Sequence, residues 1–411
     1  MTSEETISDE RSRGASPAGA RDLPIPPPGT MGPPVEYESL RRECPVARVR
    51  TLVGATAWYL TRYQDVGSVL GDPRFVRPNV DDWPPPEGNP VSGCHRLVMM
   101  MELEGPGHRA LRRSLADAFS PAAMREREPR VRALAEGLLD EFERHSGPAD
   151  LLGGFVEPFP LLVMCDLVGI PYAQQDYFVP LVDSALTAMV DVVEGRRVSA
   201  PLYEYVDGLI ARKRREPGDD VLSDLLRRQD AGELSADDVT SFGLTMLLAG
   251  FRTTTMFLAN SVVTLLTSPE HLAQLRGNPG LLADAVEELL RFLPVLNGVV
   301  VLQATEEISL LDQTIRAGDA VLPTIPAANR DGSVFPDADT LDFARTRNPH
   351  LTFGRGRHFC LGAHLARLTL RVALAALLTR FPDLRLTVAP HELPWEDESP
   401  AKSPLALPVR W

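Results

Sequence analysis

Ten consecutive residues near the C-terminus concentrate the chemistry of this chain: Phe353-Gly354-Arg355-Gly356-Arg357-His358-Phe359-Cys360-Leu361-Gly362. They join a glycine-rich loop to an apolar, helix-forming stretch. A cysteine at such a junction faces free backbone N–H groups and the positive end of the helix dipole, both of which favour the thiolate. Cys360 is therefore expected to deprotonate readily, as an iron ligand must. Gly354 and Gly356 permit a tight turn whose N–H groups can point at the sulfur, and Gly362 leaves room for a flat macrocycle against the helix backbone. A buried cysteine beside an ordinary helix cap is the plainer reading of the same thiol.

Two further pairs have chemistry at helical spacing. Glu288 and Arg291 stand at i and i+3, where they can bind one another or remain as solvated surface charges. His108 and Arg112, which follow Glu104-Gly105-Pro106-Gly107, stand at i and i+4. One helix face then presents both, a suitable seat for carboxylates or simply a solvated face. His358 could add a third contact of the same kind.

The elements that must position these groups are mostly helical. Residues 234–267 form the longest pattern: Ser235 with Asp238 predicts a capping box, apolar residues fill nearly every face through Leu266, and Ser268-Pro269 ends it. About 30 residues reach roughly 45 Å, and a helix so apolar all round must be buried. A helix carrying Glu288 and Arg291 runs from Asn278-Pro279 to Leu293, and a last one covers 361–381. Residues 53–61 read as a hairpin with its turn at Gly54-Ala55, and 299–302, 308–310 and 320–323 read as short strands. The class is mainly α with small β-sheets.

The chain has 411 residues, 44% of them apolar, which is enough for one large core. Residues 1–35 are rich in Ser, Gly, Pro and charge and predict a disordered Pro-rich leader. Residues 36–411 carry no linker or repeat and read as a single large domain. A formal net charge of −14 argues against nucleic acid as a partner. No run approaches the roughly 18 uninterrupted apolar residues of a membrane span, so no membrane association is expected. The four cysteines, Cys44, Cys94, Cys165 and Cys360, are far apart with no CxxC pair, a usage that suits the reducing cytoplasm.

The cysteine segment resembles the haem-binding signature of the cytochrome P450 family, FGxGxHxCxG followed by a Leu-Ala-Arg, here Leu365-Ala366-Arg367. Glu288 and Arg291 are similar to that family's helix K pair, and His108 to Arg112 is similar to its HxxxR at the start of helix C. The motifs occur in the family's order from about Tyr37 to the C-terminus. The resemblance implies the cytochrome P450 fold and a haem b cofactor, iron protoporphyrin IX, with Cys360 as axial iron ligand. It places Phe353, Gly354 and Gly362 around the haem and His108, Arg112 and His358 at its propionates. It also implies that Glu288 and Arg291 lock with a partner in Asn329-Arg330-Asp331.

Two segments depart from the family. Ala249-Gly250-Phe251-Arg252-Thr253-Thr254 aligns with AGx(D/E)T, which makes Ala249, Gly250, Arg252 and Thr253 the catalytic candidates. Arg252 stands in the acid's position, and a guanidinium cannot pass a proton as a carboxyl group does. Another group or a water would have to relay protons, while Thr253 can still hydrogen-bond. In place of R-x-A-x-E-D the chain has Leu302-Gln303-Ala304-Thr305-Glu306-Glu307. Leu302 cannot contact a propionate, so that contact falls to His108, Arg112 and His358 or to a residue the sequence does not identify.

The resemblance implies a haem-thiolate oxidase or monooxygenase that uses dioxygen and two electrons on a small hydrophobic natural-product intermediate. Radical coupling of aromatic or indole substrates, such as tryptophan-containing cyclodipeptides, is an alternative that Arg252 keeps open, and a non-catalytic haem-binding relative is another. Trp83, Leu247, Thr254, Asn297 and Val300 are candidate substrate contacts, with plain packing as the competing role. Soluble bacterial members of the family usually take electrons from a ferredoxin. Arg109, Arg113, Arg355, Arg357 and Arg371 gather positive charge that would suit an acidic donor of that type.

Overall fold

The segment Thr56–Leu60 is apolar at nearly every position, and a strand of that composition must be covered on both faces. It lies inside a mixed sheet, antiparallel to Val46–Arg50 and parallel to Ala320–Pro323. Trp58 and Leu60 pack into one small core while Ala57 and Tyr59 pack into another on the opposite face. Leu302–Ala304 and then Phe75–Val76 continue the sheet antiparallel. The computed structural model describes residues 20–411 apart from 30, 52–54, 79–97, 146, 188–191, 296–299 and 397–401.

Several sequence expectations shift here. The strand expected at 299–302 is Leu302–Ala304, because its register is set by Leu302 opposite Val321 and Gln303 opposite Ala320. The stretch read as leader is ordered in part: Arg21–Asp22 adds a strand parallel to Val46–Arg50, and the Leu23 N–H donates to the Arg50 carbonyl at 3.1 Å. Met31 packs against the main core. A sheet edge with unpaired backbone groups holds this segment despite its low apolar content. Of the turn expected at Gly54-Ala55, Gly54 lies outside the described residues, and the Ala55 carbonyl accepts from the Thr51 N–H at 2.8 Å.

The expected long helix is two helices in line, Ala236–Ala249 and Arg252–Thr267. The capping box forms, with the Asp238 N–H donating to Ser235 Oγ at 3.1 Å and the Ser235 N–H donating to Asp238 Oδ2 at 2.9 Å. The interruption falls at Gly250-Phe251, where Phe251 takes φ −131°. A Cβ on Gly250 would come within 2.3 Å of the Met246 carbonyl oxygen, so only glycine fits the close approach. Thr253 Oγ1 donates to the Ala249 carbonyl at 3.3 Å, a side-chain bond of the kind that bends helices. The span Ala236–Thr267 has the length and composition of a membrane-crossing helix, but 67% of its most apolar window is buried within the protein. It is a core helix. Ala363–Arg380, the last helix, packs on Pro121–Glu143, on Arg252–Thr267 and on Leu282–Phe292.

Candidate active site

The cysteine loop is shaped by two left-handed glycines, Gly354 at φ +72° and Gly356 at φ +73°. A Cβ on Gly356 would lie 2.9 Å from the Leu70 carbonyl oxygen, so this turn can nest against the helix Tyr63–Gly71 only as glycine. The Cys360 N–H donates to the Phe353 carbonyl at 2.8 Å and closes the loop. The helix itself begins at Ala363, two residues later than expected, with Gly362 in the capping position.

Cys360 is exposed, yet the surrounding protein is dense enough that burial pushes its thiol up. The sulfur thus opens onto an interior space. The Gly362 N–H, Arg112 and Arg367 all pull the thiol in the other direction, as a helix N-terminus and cations should, but desolvation exceeds them. The expectation of ready deprotonation from the dipole alone is therefore corrected. A coordinating metal cation removes that proton outright.

The helix Gly105–Leu115 brings the second pair to the loop. Arg112 Nη1 donates to the Phe359 carbonyl at 2.7 Å, one residue from Cys360. His108 is buried and its ring stacks on His358 with centroids 4.5 Å apart. Burial, together with the nearby His358 and Arg112, pushes His108 down to about 4, so it is a neutral imidazole near pH 7. Glu104 ties the cluster together: Oε1 lies 3.0 Å from His358 Nε2, and Oε2 accepts from Arg357 Nε at 2.8 Å. Burial alone would raise Glu104, but the bonds from His358, Arg357 and the Arg77 N–H hold it at about 2.

Cys360, Phe353, Gly354, Gly362, His108, Arg112 and His358 thus converge from two distant segments. A Cβ on Gly362 would meet no protein atom within 4 Å, so protein packing alone does not require glycine there. A thiol, a flat open approach over Gly362 and a set of imidazole and guanidinium donors fit a haem whose iron meets the sulfur and whose carboxylates meet the donors.

Behind the loop, Arg291 and Glu288 form a fully buried two-pronged pair, Nε to Oε2 at 2.8 Å and Nη2 to Oε1 at 2.7 Å. Arg291 also donates to the carbonyls of Asn329, Ala338 and Thr340. The cation that completes the lock is Arg345, whose Nε lies 3.2 Å from both Glu288 oxygens, with Asn348 donating at 3.0 Å. Within the expected Asn329-Arg330-Asp331, Asn329 meets Arg291 through its carbonyl, whereas Arg330 binds Asp339 and the Phe292 carbonyl. The Asn329 side chain donates to Thr352 and accepts from the Leu351 N–H, at the entrance of the cysteine loop. The signal for Arg345 was an arginine in the otherwise turn-like run 336–349, which sequence reading passed over.

Glu287, on the same helix, accepts from Arg367 at 2.6 and 2.8 Å and lies 3.1 Å from His350 Nε2. Burial opposes its charge, but these partners hold its carboxyl at about 2. A depressed carboxyl contributes stability that is complete above the unfolded value near 4.5 and is lost as pH falls toward 2. Glu287→Gln is expected to flatten that acid limb. Urea midpoints at pH values of about 5, 4 and 3 should show a gap between variant and parent that narrows on acidification; a constant gap would contradict the linkage.

Ala249, Gly250 and Thr253 sit at the interruption between the two core helices. Arg252 is engaged by two carboxylates. Its guanidinium binds Asp183 through Nε at 2.6 Å and through Nη2, and Nη1 reaches Glu157 at 3.4 Å. Arg252, a catalytic candidate by its place in the sequence, thus ties the interruption to the helix Gln175–Thr187 through Asp183 and to the start of Pro158–Val168 through Glu157, and Glu157 and Arg252 share the wall of a cleft of about 410 Å³. Leu247 is wholly buried in the main core and cannot contact a substrate. Thr254 and Val300 are half-buried; Val300 packs on the smaller core. Trp83 and Asn297 lie outside the described residues. In the expected basic patch, Arg357 is engaged by Glu104 and the Phe75 carbonyl, and Arg371 by Glu128. Arg109, Arg113 and Arg355 remain exposed.

Comparison with known proteins is consistent along nearly the whole chain. The family model described as Cytochrome P450 matches residues 280–398. The chain is 40% identical over 401 residues to nocardicin C N-oxygenase of Nocardia uniformis subsp. tsuyamanensis, covering 95% of this chain and 98% of that protein. It is 40% identical over 380 residues to mycinamicin IV hydroxylase/epoxidase of Micromonospora griseorubida, covering 91% and 94%. A solved structure of HinD with NMFT and NO superposes with a TM-score of 0.88 at 40% identity, covering 96% of this chain and 100% of that one. The two curated relatives are oxygenases by name, which favours oxygen transfer over radical coupling or a non-catalytic role.

Proposed function

Because this chain belongs to the cytochrome P450 family, an oxidoreductase family that carries haem b and draws on a redox partner, we propose that it inserts oxygen into a small hydrophobic natural-product intermediate, with Cys360 as the iron ligand. The observation that carries the reading is the Cys360 sulfur, set on a loop turned by the left-handed Gly354 and Gly356, closed by the Cys360 N–H on the Phe353 carbonyl and met by Arg112 on the Phe359 carbonyl. Bound haem supplies dioxygen activation by two electrons, which thiolate ligation favours. Arg112 and the imidazoles of His108 and His358 would hold its propionates. Phe353, stacked under the Arg367 guanidinium at 4.4 Å, keeps the loop seated on the last helix. The Thr253 hydroxyl, bonded to the Ala249 carbonyl at the interruption, can exchange that weak 3.3 Å bond for one to a water.

The test uses nocardicin C and mycinamicin IV as first probes, screened by the spectral shift that substrate entry causes and then turned over under ¹⁸O-labelled dioxygen. One labelled oxygen in the product is expected. Conversion to products without label would overturn the monooxygenase reading, and absence of any shift with both probes would move the substrate class away from these relatives.

For electrons the reading is a small acidic ferredoxin docking on Arg109, Arg113 and Arg355, in the cytoplasm where an iron-ligating thiol stays reduced. Reversing Arg109 and Arg113 to Glu is expected to slow the first reduction roughly tenfold at low salt, and the deficit should shrink as salt rises. Stopped-flow reduction with a ferredoxin as donor measures it; unchanged reduction at low salt removes this patch from consideration.

A further inference from the structure

The strands Phe75–Val76 and Leu302–Ala304 pair with Phe75 opposite Ala304 and Val76 opposite Gln303. One more step along the same antiparallel register sets Arg77 opposite Leu302. Residues directly opposed in an antiparallel pair project to the same face. On this face Phe75, Leu302 and Ala304 pack with Leu351, at the entrance of the cysteine loop. The Arg77 N–H donates to Glu104 Oε1 at 3.0 Å, the same oxygen that lies 3.0 Å from His358 Nε2. The root of Arg77 is therefore a single carboxylate away from the stacked His358 and His108.

Its side chain is poorly satisfied. Nη1 makes a long bond of 3.3 Å to the Val301 carbonyl, and Nε is buried with no hydrogen-bond partner among the described residues. Burial pushes the guanidinium down, with Glu102 and Glu104 opposing. Glu104 is already engaged by His358 and Arg357. A desolvated guanidinium with an unmet N–H is a costly feature unless an anion comes to it.

The cluster also lacks charge for the task. A haem brings two propionates, whereas His358 faces Glu104 and an imidazole carries no permanent charge, leaving Arg112 as the one permanent cation so far assigned to them. We propose that Arg77 is a haem-propionate ligand, reaching across the strand pair to supply the guanidinium that Leu302 cannot. The proposal rests on the haem b reading above and adds a binding residue to it.

The test compares the parent protein, Arg77→Leu and the double variant Arg77→Leu/Leu302→Arg, each loaded with haem b or with its dimethyl ester, in which the propionate charges are absent. The readout is the rate of haem transfer to excess apomyoglobin. Arg77→Leu should lose haem b roughly ten- to a hundredfold faster than the parent. The double variant should recover most of that retention, because it restores a guanidinium on the same face. With the ester, parent and Arg77→Leu should release haem at the same rate. Retention of haem b by Arg77→Leu equal to that of the parent would overturn the proposal, and so would equally accelerated loss of both haems, which would mark a packing role. If the parent takes up neither haem, the cofactor reading falls and this assignment with it, a result distinct from either of the others.

Discussion

Cys360→Ser is expected to abolish the red-shifted Soret band of the reduced, carbon-monoxide-bound protein and to reduce oxygenation to background. Loss of an outer partner of a metal ligand alone costs roughly 10- to 100-fold, and removal of the ligand itself should exceed that. The loop geometry explains why neighbouring residues cannot compensate. Cys360 is held by its own N–H on the Phe353 carbonyl, and the glycines at 354 and 356 set one backbone path through the turn. Serine keeps the size and the backbone bond but offers iron a poor, protonated donor in place of the thiolate. Measured haem content separates the two ways to fail: a haem-loaded variant with an unshifted band assigns the thiolate to Cys360, whereas a band identical to the parent's would remove Cys360 from the iron.

Glu288→Gln is expected to give the largest loss of stability of any conservative change in the chain, about 3–5 kcal/mol, the usual cost of removing one member of a buried ion pair. Glu288 receives Arg291, Arg345, Asn348 and the Asp342 N–H on its two oxygens, so the amide leaves two buried guanidinium groups facing a neutral partner. The loss travels to the site. Arg291 holds the carbonyl of Asn329, and the Asn329 side chain bonds Thr352 and Leu351 next to the cysteine loop. Denaturant unfolding of the haem-loaded protein, followed by circular dichroism and by the Soret band, checks both effects. A midpoint within error of the parent would show that the lock is not what holds this region.

The readings that survived are those in which the chemistry is contiguous. The cysteine loop, its glycines and the following helix lie within about 30 residues, and local backbone rules suffice to place a thiol at a helix N-terminus. The pairs His108 with Arg112 and Glu288 with Arg291 share a helix face by geometry alone. Apolar patterning found the buried core helix and its capping box, because both depend on neighbours three or four residues away.

What the sequence could not determine depends on partners far along the chain. Arg345 meets Glu288 across 57 residues, and Arg252 meets Asp183 and Glu157 across 69 and 95. No periodicity announces such contacts; they exist because separate helices pack at particular angles. Burial likewise is a property of the folded whole, which is why the thiol of Cys360 is pushed up although its local dipole pulls it down. Local sequence is enough to set a thiol on a glycine-shaped loop and to choose the helices that support it. The tertiary structure decided which cations face inward, since a strand register that places Arg77 beside Leu302 is set by long-range pairing and not by either segment alone.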